Sequence, residues 1–575
     1  MFDSGPEARV ISVRVRTFRR IATVALALFA LTAQAPAAPA TASASLDAVR
    51  SRIKHVFVIF QENHSFDNYF GTYPGADNLA SPQAQAHGFR QYDPIGKSWV
   101  TPFRITDPDI ESMSQARLVS LGKMDGGKMD AFVATQEAYS RTKLAEADAR
   151  ILGLETMAHY DCDTIPFLWK YAHSFALYDH IFQAMIGPST PNNIAIIAAQ
   201  AGQTQAAREP STALDAADKG QGVPALNDRD PAFGPYSEPG ETHQISQAYA
   251  TLMLLLNGTA NTQATQDTAG VERDLGAVIA QGRAPIPWAW FQEGYVSPTL
   301  ALPGYETHHN APQYFGYLRN NDVFWNNVHG LQPVLDGLRN GTLPVSGIFY
   351  IKGGSKNGFG WKPANRDAYV QAQYLGDDDH PGPGDSDAQV GETFVATFVN
   401  AIARSKYWND SAIVVTWDDP GGQYDHVPPP QFERCPDARA CGDGPRIPLL
   451  LISPYARSGA VIHNAGDTNS VVKLAEAVFG LPAMATLPDE KPFLPEGPRD
   501  GDPTVSDLLG GFDPERLDGS APLISAAQAE IPDATVNVFP PAMNCRTLGL
   551  TPVTLPNAPS TPPPGFRPRV APRPH

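Results

Sequence analysis

The sequence predicts an α/β protein whose central sheet is largely parallel and covered by helices on both faces. Three observations carry that expectation. The apolar, β-branched run Val56–Phe60 stops abruptly at Glu62-Asn63, and a second run, Ala412–Trp417, stops at Asp418-Asp419. Strand-like and helix-like segments alternate between and beyond them, the pattern of parallel strands joined by crossover helices. Strands buried on both faces read as continuous apolar runs, as these do, and not as polar–apolar alternation.

Taken in order, the chain begins with Arg14, Arg16, Arg19 and Arg20 ahead of the apolar segment Ile21–Leu31 and the small residues Ala33-Gln34-Ala35. This pattern predicts an export leader over 1–45; Arg19-Arg20 raises a twin-arginine route, which its flanking residues match only loosely, so the general secretory route stays open. The apolar segment is too short for a membrane span and no second one follows, so no transmembrane anchor is expected. A loop-rich stretch runs from the first strand to about Arg104. Asp107–Arg150 reads as helical, broken at Gly122 and Gly126-Gly127. Ile165–Ala172 and Ala176–Met185 read as a helix and a strand, closed by the elbow Gly187–Asn193, and a helix is expected over Ile194–Ala201.

Residues 203–242 are polar and rich in Gly and Pro, opening a surface insertion of helices and loops over about 203–285; within it Gln244–Leu256 reads as an amphipathic helix. Further strands are expected at Pro285–Phe291, Val345–Ile351, Ser411–Trp417 and Ile447–Ile452, and helices at Ala388–Arg404 and Ser470–Phe479. The main domain should span 46–540, leaving a Pro-rich, disordered tail at 541–575.

With 575 residues, 42% of them hydrophobic, the chain can bury a large core. Its net charge of −17 argues against a nucleic-acid binder, which needs a basic face. Broad attraction to an anionic membrane is not expected either, although phosphate can still be held locally by a metal, backbone amides or histidines. Cys435 and Cys441 enclose a short loop that suits a local disulfide, while Cys162 and Cys545 either pair or stay free.

Four constellations carry chemistry. Glu62-Asn63 offers hard oxygen donors at a strand end, suited to a metal or phosphate site and equally suited to capping a helix. Asp418-Asp419 is a pair of adjacent carboxylates that repel unless a cation or shared proton intervenes; two turn aspartates read the same way. Ser189, in Gly187-Pro188-Ser189-Thr190-Pro191, stands where a helix starts, so it is either a nucleophile or a cap. His308-His309 and His380, the last in Asp377-Asp378-Asp379-His380-Pro381, can bind metal, contact phosphate or protonate a leaving group. His426 beside Asp425 looks like a triad fragment and reads more readily as a structural histidine–carboxylate pair than as a catalyst.

Together these motifs resemble the bacterial phosphoesterase family of secreted phospholipases C and acid phosphatases, within the alkaline phosphatase superfamily. The resemblance rests on Glu62-Asn63-His64-Ser65-Phe66-Asp67-Asn68-Tyr69-Phe70-Gly71, Gly127-Lys128-Met129-Asp130, Gly187–Asn192, His308-His309, Asp379-His380-Pro381 and Thr416–Gly422. Asp425–Pro429, Arg446-Ile447-Pro448 and Ile452-Ser453-Pro454 add to it, and the match covers most of 53–515.

The resemblance implies an alkaline-phosphatase-like fold and one divalent metal ion (Ca, Mg, Mn or Zn) held by Glu62, Asn63, Asp418 and Asp419. It makes Ser189 the nucleophile, also touching the metal, and sets His308, His309 and His380 around the phosphoryl oxygens. It further implies hydrolysis through a phosphoserine, in the periplasm or outside the cell. Substrates are phosphorylated small molecules in the acid phosphatase branch and phospholipid head groups in the phospholipase C branch. Gly376–Gly382 and His308–Phe315 resemble the former. About 60 residues follow residue 515, too few for the extra β domains of the longer phospholipases. A secreted, non-catalytic binding protein on the same scaffold is the remote alternative. One departure stands out: Asp107-Pro108-Asp109-Ile110 lacks the histidine many members carry there, so that His159 or another residue substitutes or one phosphate contact is missing.

Overall fold

The computed structural model describes residues 44–570 except 87, 211–223, 237–243, 260–267, 321, 366, 431–433, 436, 495–496 and 559–560. The expected leader therefore lies outside the described residues, apart from Ala44 and Ser45. Eight strands form the central sheet: β1 (His55–Gln61), β2 (Ala176–Tyr178), β3 (Trp288–Gln292), β4 (Val328–His329), β5 (Gly347–Lys352), β6 (Ser411–Trp417), β7 (Leu449–Ile452) and β8 (Ala460–Ile462). Their order is β4-β3-β5-β1-β6-β7-β2-β8. β1 and β6, whose apolar runs are fully buried, lie side by side at its middle.

All pairings are parallel except those of β7, which runs antiparallel to both β6 and β2. The reason lies in the connection. After β6 the chain stays at the sheet's carboxyl edge through the Gly421-Gly422 turn to Arg446, so it must re-enter the sheet in the opposite sense. β2 and β8 again run with β1 and β6, and their carboxyl ends reach the same edge.

Helices cover both faces. The register pairs Phe60 with Lys352, so Tyr350 and Gln61 project to opposite sides of the sheet. Tyr350 donates its hydroxyl to the Ile196 carbonyl at 3.4 Å, in the helix Ser189–Ala198. On the other side, Gln61 Nε2 donates to the Gly391 carbonyl at 3.0 Å, in the helix Ala388–Ala403. That long helix is apolar almost all round because it is buried almost all round, and Asp387 caps its start by accepting from the Gln389 and Val390 amides.

Several expectations are corrected. The helix expected from Ile194 starts at Ser189 and ends at Ala198, because Pro191 falls in the first turn, where a missing amide donor costs nothing. Gln244–Leu256 is not one helix: only Leu252–Asn257 is helical, capped by Thr251, and Gln247 instead bridges to Phe315. Residues from Tyr249 to Leu256 are buried without a polar face, so they pack as a core segment and not as an amphipathic surface. Residues 107–116 are likewise non-helical, the first helix there being Arg117–Met124.

The tail expected to be disordered is fastened to the body. Cys545 forms a disulfide with Cys162, Phe566 packs edge-on to Phe103 at 4.8 Å between ring centres, and Arg569 pairs with Asp107 and Asp109. Cys435 and Cys441 form the local disulfide. No helix among the described residues is long and apolar enough to cross a membrane.

Candidate functional site

Glu62 and Asn63 follow β1, and Asp418 and Asp419 follow β6, so the parallel pairing of these strands brings both residue pairs to one point of the carboxyl edge. Asn63 takes a left-handed backbone (φ 66°), which asparagine tolerates better than most residues. Ser189 faces both pairs from the start of its helix. Its Oγ lies 3.4 Å from Glu62 Oε2 and 3.4 Å from Asp419 Oδ2. All five side chains are buried.

The histidines close the other side. His309 Nε2 lies 2.6 Å from Glu62 Oε1, and His308 stacks edge-on to His309 at 4.2 Å between ring centres. His380, in the extended segment Gly376–Pro381, points Nε2 to within 2.7 Å of the Asn63 amide group, while its Nδ1 pairs with Asp385 at 3.1 Å. The candidates named from the sequence thus converge on a single centre.

Three further residues belong to it. Lys352, the last residue of β5, places Nζ 2.8 Å from Glu62 Oε1 and is fully buried. Asp378 shares a group of ligand-type side chains with Glu62 and His309. Asp228, from the stretch expected to be a mere surface insertion, accepts from the Thr190 amide at 3.0 Å beside Ser189. The last residue of a strand in an apolar run is a legible position for Lys352; nothing in the composition around Asp228 marks it.

The electrostatics follow from burial and crowding. Burial and the nearby Glu62 push Asp418 above the carboxylate range, and burial with Asp418 pushes Asp419 further. Burial would also raise Glu62, but His309 and Lys352 overcome it and hold Glu62 well below its ordinary value. Burial depresses His309, whereas Asp385, Glu62 and Asp378 outweigh burial at His380, and Asp228, Glu306 and Glu62 do so at His308.

The residues fit a divalent cation. Asn63 links the two sides of the site: its Nδ2 donates to Asp419 Oδ1 and Oδ2 at 2.8 and 2.7 Å and its Oδ1 accepts from His380 Nε2 at 2.7 Å. Asp418 Oδ2 is buried with no hydrogen-bond partner among the described residues. Carboxylate and amide oxygens are the donors of Ca, Mg and Mn, and carboxylates serve Zn as well.

Other histidines serve the scaffold. His64 donates from Nε2 to the Asp379 carbonyl at 3.1 Å and accepts at Nδ1 from Gln423 Nε2 at 3.2 Å, and burial lowers it to about 3, leaving it neutral. His426 pairs with Asp67 at 2.7 Å beside the buried Arg446, a structural pair with charged neighbours. His159 is buried and its Nδ1 lies 3.3 Å from the Tyr160 carbonyl.

Fold and centre define an α/β protein with a serine and an oxygen-rich ligand set at the carboxyl edge of its sheet. The chain belongs to the phosphoesterase family, whose model matches residues 53–482. It is 24% identical to the non-hemolytic phospholipase C of Burkholderia pseudomallei over 86% of this chain and 62% of that protein. With the hemolytic phospholipase C of Pseudomonas aeruginosa it shares 21% over 75% of this chain and 53% of the other. The chain thus spans little more than half to three fifths of these relatives. A solved structure of a protein in the alkaline phosphatase superfamily from Vibrio parahaemolyticus aligns with a TM-score of 0.29 and 10% identity, covering 76% of this chain and 75% of that one.

Proposed function

We propose that this chain is an exported, metal-dependent phosphoric ester hydrolase that cleaves phosphate monoesters through a phosphoserine at Ser189. The observation that carries the reading is Ser189 Oγ at 3.4 Å from carboxylate oxygens of both strand-end pairs. Glu62, Asn63, Asp418 and Asp419 would hold one divalent ion, which when bound supplies Lewis acidity to a phosphoryl oxygen and favours the serine alkoxide.

The residues of the chain do the rest. Ser189 loses its proton to the carboxylate side of the site and its Oγ bonds to phosphorus as the ester P–O bond breaks. The departing alcohol oxygen takes a proton from the histidine side, where neighbouring carboxylates hold His308 and His380 above the ordinary imidazole value. Lys352 holds Glu62 in its charged form, and the histidines offer charge-assisted hydrogen bonds to the remaining phosphoryl oxygens. Water then attacks phosphorus and gives a proton to the imidazole that protonated the alcohol, the P–Oγ bond breaks, and Ser189 takes its proton back from the carboxylate side.

A second reading, a phospholipase C acting on phospholipid diesters, is favoured by the names of the Burkholderia and Pseudomonas relatives. The basic and apolar leader supports export to the periplasm or beyond. Hydrolysis of p-nitrophenyl phosphate and of phosphatidylcholine by wild type and Ser189→Ala tests both readings. A drop of at least about 10³-fold in the variant is expected. Unchanged turnover in the variant overturns the nucleophile, and cleavage of phosphatidylcholine alone overturns the monoester reading.

A further inference from the structure

A second cluster of ligand-type side chains occupies the carboxyl ends of β2 and β8 and shares no residue with the serine centre. Parallel pairing sets Tyr178 beside Ile462, which brings the next residues, Asp179 and His463, together. His463 Nδ1 lies 3.0 and 2.9 Å from the two oxygens of Asp179, and His180 Nδ1 lies 2.8 Å from Asp179 Oδ1. One ligand atom from each of the three falls within 4.8 Å of the others. Asp179 is buried while His180 is half-buried and His463 exposed, so one side opens to solvent as an entry path.

The imidazole of His180 is also held from behind. Its Nε2 lies 3.4 Å from Asp77 Oδ2. Asp77 is itself fixed: its amide donates to Asp179 Oδ2 at 2.8 Å, and His426 Nε2 lies 3.2 Å from its Oδ1. A carboxylate orienting the far nitrogen of an imidazole whose near nitrogen faces a ligand cluster is the usual support of a metal-binding histidine.

We propose that Asp179, His180 Nδ1 and His463 Nδ1 bind a divalent cation of the zinc class, with solvent completing the coordination and Asp77 positioning His180. Two imidazole nitrogens and one carboxylate suit zinc and its first-row neighbours better than calcium or magnesium. The adjacent Asp67, Asp425 and His426 group is different, because the Arg446 guanidinium already fills it, 2.9 Å from Asp67 and 2.8 Å from Asp425.

The test is a Zn²⁺ titration of the tag-free, chelator-stripped full chain by calorimetry. Wild type, His463→Ala and Asp77→Asn are compared. Wild type should bind one more Zn²⁺ per chain than His463→Ala. Asp77→Asn should keep the site with affinity lowered by about 10-fold. Circular dichroism checks that the variants fold, and His463→Gln replaces the alanine variant should that one fail. Equal stoichiometry in wild type and His463 variant overturns the proposal, as does binding seen only at millimolar Zn²⁺. The stoichiometric difference reads this site whether or not the chain hydrolyses esters.

Discussion

Lys352 Nζ lies 2.8 Å from Glu62 Oε1, with both groups out of contact with solvent. Asp418 and Asp378 also act on Lys352, so this ammonium works with His309 to compensate a set of buried carboxylates. Breaking a buried pair by removing one partner typically costs about 3–5 kcal/mol. Lys352→Met should therefore lower the urea midpoint sharply in chelator. A divalent cation should restore more of the loss in the variant than in wild type, because it supplies the missing positive charge. Equal stability of the two proteins in chelator would remove Lys352 from this role.

Chelation tests the ligand set directly. Asp418→Asn keeps the shape of the side chain and removes a negative charge from the centre. It should weaken divalent binding by at least about 10-fold and lower hydrolysis in parallel, with partial rescue by excess cation. Metal content measured on the purified variant checks this; wild-type loading together with lost activity would assign Asp418 to chemistry and not to coordination.

The strands that build this centre were legible because each carries its own local signal. β6 matches the expected Ser411–Trp417, and β1 extends the run Val56–Phe60 by one residue on each side. Their polar ends are legible for the same reason: an apolar run that must be buried marks where it stops. What joins them is long-range. Ser189 is 127 residues from Glu62 and 230 from Asp419 in sequence, and only the strand order brings them together. Asp228 and the antiparallel sense of β7 depend on how loops return over the edge, which leaves no periodicity to read. The tail misled for a related reason, since proline content reports what a segment cannot fold into and says nothing of a disulfide that fastens it.

Removing that disulfide should have a local result. Cys162 and Cys545 are 383 positions apart, so the bond restricts the unfolded chain strongly, with a typical contribution of about 2–5 kcal/mol. Cys545→Ser should lose stability in that range and open residues 541–570 to limited proteolysis. Ester hydrolysis by the surviving fold should change little, because no tail residue contacts Ser189 among the described contacts. A tail as resistant to protease as in wild type would show that Phe566 and Arg569 suffice to hold it.

Glu476 and Asp500 set a pH dependence away from the centre. Burial first, then Asp500 to which it is hydrogen-bonded, push Glu476 well above the carboxylate range, while Asp500 also accepts from the Met484 and Ala485 amides. The folded state thus binds this proton more tightly than the unfolded state. The stabilisation is fully present below the unfolded value, about pH 4.5, and is lost as pH rises through the folded value, at up to about 1.4 kcal/mol per unit. Glu476→Gln keeps a donor towards Asp500 and removes the titration. Its stability should fall less than that of wild type between pH 5 and 8; parallel curves from urea unfolding would rule the pair out.

Gly421 is where the turn after Asp418-Asp419 passes closest to β1's end. Its φ of 63° is left-handed, and a Cβ built there would come within 2.0 Å of the Asn63 carbonyl oxygen. The obstacle is backbone, so it cannot swing aside, and the left-handed conformation itself costs a non-glycine residue about 1–2 kcal/mol. Gly421→Ala must therefore separate the two strand ends, moving Asn63 away from Asp419, whose Oδ1 accepts from the Gly421 amide at 2.7 Å. The same substitution at Gly422 meets the flexible end of Lys123 at 2.4 Å in addition to the Ser114 carbonyl at 2.7 Å, and strains a segment one residue further from the ligands. Gly421→Ala should thus lose divalent affinity and hydrolysis together by at least about 10-fold, with a larger fall in affinity than Gly422→Ala at similar cost in folding stability. Calorimetry of cation binding beside urea unfolding separates the two effects. Equal affinity in the two variants would mean that the contact between Gly421 and Asn63 does not set the ligand geometry.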